Sequence, residues 1–142
     1  MSRIFWDTNL FIYFFENYGN ESQRTKALLQ RMSERGDELF TTTLTIGEVI
    51  IQPLRQGDLD RCDRYENAIR TYANVLTFDI AAARNFAILR ANSKQNIRPP
   101  DAIQLACAAT ARVDLFLTND THLHNLHIEG IHFITSVDRA PI

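Results

Sequence analysis

The pattern that most constrains this chain is an alternation: short apolar runs rich in aromatic and β-branched residues are separated by longer stretches with helical spacing. Such alternation marks a parallel sheet covered by helices, because parallel strands need long crossover connections and are buried on both faces. Ile4-Phe5-Trp6 reads as a first buried strand, and residues 38–43, 75–78, 115–118 and 131–134 supply four more, the last at an edge. Helices are expected over residues 10–15, 22–35, 46–54, 59–72, 80 to about 93 and 101–112. In the second of these, Ala27, Leu28 and Met32 form the inner face and Gly36 is the stop signal. Asp79 is placed to cap the fifth, and Pro99-Pro100 to open the sixth. Neither an internal repeat nor a linker interrupts the 142 residues, a length that fits one domain with its own core. The predicted fold class is α/β, a four- or five-stranded parallel sheet flanked by helices.

With 45% hydrophobic and 23% charged residues, the composition excludes a disordered chain or a disulfide scaffold. Seventeen acids against 15 bases leave a net charge of −2, so a nucleic-acid partner must be held locally rather than by a general excess of base. Cys62 and Cys107 stand far apart without a second thiol near either, and Cys107 sits in the small apolar run Leu105-Ala106-Cys107-Ala108-Ala109. Buried free thiols in a reduced cytoplasm are the expectation. Asp7, Asn9 and Glu16 interrupt the amino-terminal apolar stretch too early for a signal peptide, and nothing approaches the roughly 18 apolar residues of a membrane span. The chain is expected to be soluble and to make no membrane contact.

Four carboxylates occupy places where a solvated surface charge is not expected. Asp7 follows the first strand in Trp6-Asp7-Thr8-Asn9, and Asp120 follows the fourth in Leu117-Thr118-Asn119-Asp120. Ligands of open parallel sheets bind outside the carboxyl ends of the strands, so these two acids should face one crevice. Glu48 is enclosed by Ile46, Gly47, Val49, Ile50 and Ile51, and Asp101 opens a helix just after Pro99-Pro100. Singly, each has a structural explanation as a helix cap, an answer to a helix dipole or a partly exposed helical residue. Together they would repel one another, a conflict that a divalent cation removes. An all-oxygen acidic site suits Mg²⁺ or Mn²⁺ better than zinc, and such an ion activates water and stabilises charge on a phosphoryl oxygen.

Asp7-Thr8-Asn9, Glu48 in a helix after the second strand, Asp101 in Pro100-Asp101-Ala102 and Thr118-Asn119-Asp120 follow one another in an order that resembles the PIN-domain ribonucleases, and among them the VapC-type toxins of toxin–antitoxin pairs. The likeness runs from Ile4 to Phe133. It implies a single PIN domain over residues 1–142 and cleavage of RNA with Mg²⁺, or Mn²⁺ in its place. It also implies that Asp7, Asp101 and Asp120 are metal ligands, with Glu48 a ligand directly or through water. Thr118 would support the metal or its waters, Asn9 would stand behind the ligands, and Thr43 occupies a place where the toxins often carry Ser or Thr. The implied partners are an RNA substrate, a VapB-like antitoxin and a second copy of the chain. Two other roles share the scaffold: an RNA-processing nuclease that is not a toxin, and an inactive PIN scaffold for protein contacts.

Arginine outnumbers lysine 13 to 2, and its planar fork matches phosphate oxygens. Arg84, Arg90, Lys94 and Arg98 form an acid-free stretch ending beside Asp101, and the last three recur every four residues, as on one helical face that either tracks an RNA backbone or is simply a solvated outer face. His122, His124 and His127 lack the spacing of a transition-metal site and read as polar positions between buried leucines. Phe11, Tyr13, Phe14 and Phe15 make the first helix so apolar that a second chain is expected to cover one side of it. Setting the four carboxylates aside leaves 13 of the 17 acids against 15 bases, so the rest of the molecule is mildly basic.

Overall fold

A computed structural model describes residues 1–92 and 94–142. The strands β1 (Arg3–Trp6), β2 (Glu38–Thr42), β3 (Asn74–Leu76), β4 (Leu115–Leu117) and β5 (Phe133–Thr135) form one sheet in the order β3-β2-β1-β4-β5, with every pair parallel. Five parallel strands and an edge position for the last agree with the sequence expectation. Because side chains alternate along a strand, β1 supplies both cores. Phe5 faces one side and stacks on Phe116 with centroids 4.8 Å apart, whereas Ile4 and Trp6 face the other.

The Phe5 side is covered by helices α6 (Ile80–Ala91) and α7 (Pro99–Thr110). Ala102, Ala106 and Ala109 let α7 lie close to the sheet, and the turn at Gly130 lies close to α7 in its turn. At Gly130, φ is +96° and a Cβ would come 2.5 Å from the Ala109 carbonyl oxygen, so only glycine fits both requirements. The Trp6 side is covered by α1 (Thr8–Phe15), α2 (Asn20–Arg35), α3 (Thr43–Val49) and α5 (Leu59–Tyr72). On α2, Leu28 and Met32 point inward with Ser22 and Thr25, while Ala27, expected on this face, lies at the surface.

Other departures have local causes. The helix expected over residues 46–54 begins earlier, at Thr43, and breaks at Ile50 into α3 and α4 (Ile51–Arg55). Pro53 has no N–H and its ring crowds the carbonyl of Val49, so one continuous helix cannot form. The helix expected to reach Ser93 ends at Ala91, and Ser93 itself lies outside the described residues. The last strand starts at Phe133 because the Ile131 N–H is taken by the Ile128 carbonyl at 3.0 Å, leaving Ile131 to fill the core. Helix α1 is partly covered within the chain, with Leu10 and Phe11 buried and its other residues half-buried. Trp6 packs on Phe11 and Phe14, Tyr65 stacks on Phe15 at 4.3 Å, and Tyr72 meets Phe14 edge-on.

Strand order reverses at β1: the chain moves outward through β2 and β3, then returns to the other side for β4 and β5. The carboxyl ends of β1 and β4 therefore meet at a topological switch point, the position where open parallel sheets bind ligands. The Asp7 N–H donates to the Leu117 carbonyl at 2.9 Å, which ties the two strand ends together.

Candidate active site

Asp7 caps α1 by accepting the Thr8 N–H on Oδ1 at 2.9 Å, as a short acid at a helix start is suited to do. Its other oxygen, Oδ2, accepts the Thr118 hydroxyl at 2.7 Å, and the carboxylate is almost wholly buried. Burial pushes its pKa up, the bonds from Thr118 and Thr8 pull it back, and the charges of Asp101 and Glu48 push it up again. Glu48 enters from α3 and accepts the Thr8 hydroxyl on Oε1 at 2.6 Å. Asp101, in the first turn of α7, meets Arg98 Nε at 3.3 Å. Its pKa too is raised by burial, against the pull of Arg98 and with a push from Asp120. Asp120 accepts the His122 N–H at 2.9 Å, and its own N–H donates to Thr118 Oγ1 at 3.1 Å.

Repulsion thus couples Glu48 to Asp7, Asp7 to Asp101 and Asp101 to Asp120, which joins all four predicted acids into one electrostatic unit. Asp101 and Asp120 border a cleft of about 620 Å³ with Arg98 and His122, while Glu48 borders a second, of about 520 Å³, with Tyr18 and Gln52. Among the described residues, no three His, Cys, Asp or Glu side chains already stand close enough to enclose an ion. The donor set nevertheless suits a hard divalent cation. It is all oxygen, and its most buried member is a carboxylate pressed by two like charges, which an ion would relieve.

The supporting residues are only partly those expected. Thr118 bonds Asp7 directly, and Asn9 Oδ1 accepts the Asn119 N–H at 3.3 Å, holding the loop that carries Asp120. Thr43, by contrast, lies exposed at the start of α3. The β2–α3 junction turns Thr41, Thr42 and Thr45 inward instead, and Thr45 Oγ1 lies 3.3 Å from Thr8 Oγ1. Gln104 was not anticipated. It is buried on α7 one turn beyond Asp101, and its Nε2 lies 2.7 Å from Thr45 Oγ1, 3.2 Å from Thr8 Oγ1 and 3.4 Å from Asp7 Oδ1. A polar residue inside the otherwise alanine- and leucine-rich face of α7 was the available signal, of the kind that singled out Glu48.

The basic stretch is rearranged. Because α6 ends at Ala91, Arg90, Lys94 and Arg98 share no helical face. Arg90 donates to the Ile97 carbonyl and closes the loop before α7, while Arg84 lies exposed on α6. Arg98 remains beside Asp101. Of the histidines, His122 lines the acidic cleft and His124 Nε2 lies 2.9 Å from the Thr118 carbonyl, whereas His127 borders a separate cleft.

Residues 4–128 match the family described as PIN domain. No curated protein matches the sequence. Among solved structures, the fold is similar to a chain of VapBC2 from Rickettsia felis bound to a DNA fragment from their promoter, with a TM-score of 0.75 at 11% identity, covering 94% of this chain and 98% of that one. A chain of DNA-bound VapBC from Salmonella typhimurium gives a TM-score of 0.73 at 19% identity, covering 96% and 99%. FitAcB from Neisseria gonorrhoeae gives 0.68 at 22% identity, covering 84% and 88%. The five parallel strands, the acids at the switch point and a family match over most of its length agree, and the chain belongs to the PIN domain family.

Proposed function

We propose that this protein is a metal-dependent endoribonuclease acting as the toxin of a VapBC-type pair, with residues 1–142 forming one PIN domain. The observation that carries this reading is Asp7: a buried carboxylate, pressed by Asp101 and Glu48, between the carboxyl ends of two adjacent parallel strands. Asp7, Asp101, Asp120 and Glu48 would hold Mg²⁺, or Mn²⁺ in its place. When bound, the ion would activate water for attack on phosphorus and offset charge building on the phosphoryl oxygens.

The chain's own residues prepare that site. Thr118 and the Thr8 N–H favour the ionised form of Asp7 against the cost of burial, and the Thr8 hydroxyl holds Glu48 through its Oε1. Arg98 and His122, lining the cleft with Asp101 and Asp120, are placed to meet backbone phosphates, and exposed Arg84 and Lys94 would add to the field further out. By the family likeness the products would carry 5′-phosphate and 3′-hydroxyl ends.

A small VapB-like antitoxin is the proposed protein partner, supported by fold similarity to chains of VapBC structures, and a second copy of the chain is proposed as well. No helix among the described residues is long and apolar enough to cross a membrane. Two buried free thiols suit action in a reducing cytoplasm.

Purified protein should cleave RNA when Mg²⁺ or Mn²⁺ is supplied and stop on chelation. Asp7→Asn and Asp101→Asn should each abolish cleavage; full activity in either would refute the assignment. Growth arrest on expression, relieved by a neighbouring antitoxin gene, separates a toxin from an RNA-processing nuclease.

A further inference from the structure

The groups that hold Asp7 and Glu48 form a directional network centred on an uncharged residue, Gln104. Thr42 Oγ1 accepts the Thr45 N–H at 3.3 Å, so its own proton is free to go to Gln104 Oε1, with which it is in contact. The Thr42 hydroxyl could serve either amide atom, so the orientation is set at the other end, where the Asp7 carboxylate only accepts and therefore calls for the amide nitrogen. Nε2 must then point at Thr45, Thr8 and Asp7. Of its two hydrogens, one serves Thr45 Oγ1 at 2.7 Å and the other is shared between Thr8 Oγ1 at 3.2 Å and Asp7 Oδ1 at 3.4 Å. The Thr8 hydroxyl, accepting from Gln104, passes its single proton to Glu48 Oε1 at 2.6 Å. Reversing the amide would set Oε1 against the Asp7 carboxylate, oxygen facing oxygen with no proton between them.

We propose that Gln104 is the positioning residue of the acidic site: its amide, oriented between Thr42 and Asp7, directs donors at Asp7 and, through Thr8, at Glu48, and so holds these acids in the orientation they present to a divalent cation. This rests on the metallonuclease reading above. The chemistry of the residue explains its placement. A lysine or arginine here would neutralise Asp7 and compete with the ion, whereas an amide and hydroxyls hold the carboxylates in place and leave their charge intact. Because Gln104 lies one turn beyond Asp101 on α7, it also ties the helix carrying that acid to the β1–α1 junction carrying Asp7.

The test compares wild-type protein, Gln104→Met and Thr42→Val by Mn²⁺ titration calorimetry, thermal unfolding without metal, and steady-state RNA cleavage. Gln104→Met should weaken Mn²⁺ binding about 10- to 100-fold and lower kcat by a similar factor with KM for RNA little changed, as for groups that orient metal ligands from behind. Thr42→Val keeps the amide but removes the partner that anchors its oxygen, and should show a smaller loss in the same two readouts; it decides the matter if Gln104→Met does not fold. A lowered unfolding temperature with unchanged Mn²⁺ affinity and unchanged kcat would mean that Gln104 only packs, and would overturn the proposal alone. Failure of the wild-type protein to bind Mn²⁺ would overturn the metallonuclease reading and this proposal together.

Discussion

The Thr118 hydroxyl lies 2.7 Å from Asp7 Oδ2, joining residues 111 positions apart across the ends of two adjacent parallel strands. Thr118 also accepts the Asp120 N–H, so one side chain orients two acids of the site. Thr118→Val keeps the shape and removes the donor. Asp7 then loses the strongest bond favouring its charged form, and its pKa rises further. Cleavage should fall about 10-fold at neutral pH, within the range for residues that orient metal ligands. The acid limb of the pH–rate profile should move to higher pH; an unmoved limb would show that Asp7 does not titrate in catalysis.

Asp7 and Asp101 both have pKa values above the ordinary carboxylate value in the folded protein without metal. The folded state therefore binds protons more tightly than the unfolded chain at these positions. The stabilisation they contribute is complete below the unfolded carboxylate pKa and is lost as pH rises through the raised folded values. Asp7→Asn removes the buried charge and should raise the metal-free unfolding temperature at neutral pH while abolishing cleavage. Added Mg²⁺ should stabilise the wild type and leave Asp7→Asn almost unchanged.

Arg98 sits on the rim of the acidic cleft, mostly exposed, and reaches Asp101 at 3.3 Å. Its removal should weaken RNA binding and reduce the salt dependence by about 0.7 in the log–log slope, the value for one phosphate contact on a single strand. Mn²⁺ affinity should hold or increase, because a competing cation has left Asp101. Binding measured across a salt series distinguishes this from a role confined to Asp101, which would leave the slope unaltered.

Gly130→Ala tests the packing behind the site. The new methyl group would meet the Ala109 carbonyl at 2.5 Å, and the positive φ of +96° is unfavourable for alanine. A loss of about 1–3 kcal/mol in unfolding free energy is expected. Since Ala109 lies near the far end of α7 from Asp101, Mn²⁺ affinity of the folded fraction should not change.

Much of the site was legible one acid at a time. A carboxylate just after a buried strand, among isoleucines or opening a helix behind two prolines stands out from a solvated surface charge, so Asp7, Asp120, Glu48 and Asp101 could be named as candidates without coordinates. The bond of Asp7 with Thr118 brings together two strand ends that each carried a visible mark. Thr43 illustrates the limit: sequence distance from Glu48 does not say how the β2–α3 junction turns, and the turn sends Thr43 outward and Thr42 and Thr45 inward. The basic stretch failed for a related reason, because spacing every four residues makes a face only where the helix continues, and α6 stops at Ala91.

The parallel α/β class and the approximate elements thus follow from periodicity, and the four acids stand out as candidates from the cost of burying charge, both local properties of the chain. Which acids repel one another, the role of Arg90 in a loop and the reach of Gln104 to the β1–α1 and β2–α3 junctions at once became visible with the folded chain. Those relationships depend on the strand order and on the rotation of α7 over the sheet. Packing sets both, through contacts between residues about a hundred positions apart that no local pattern records.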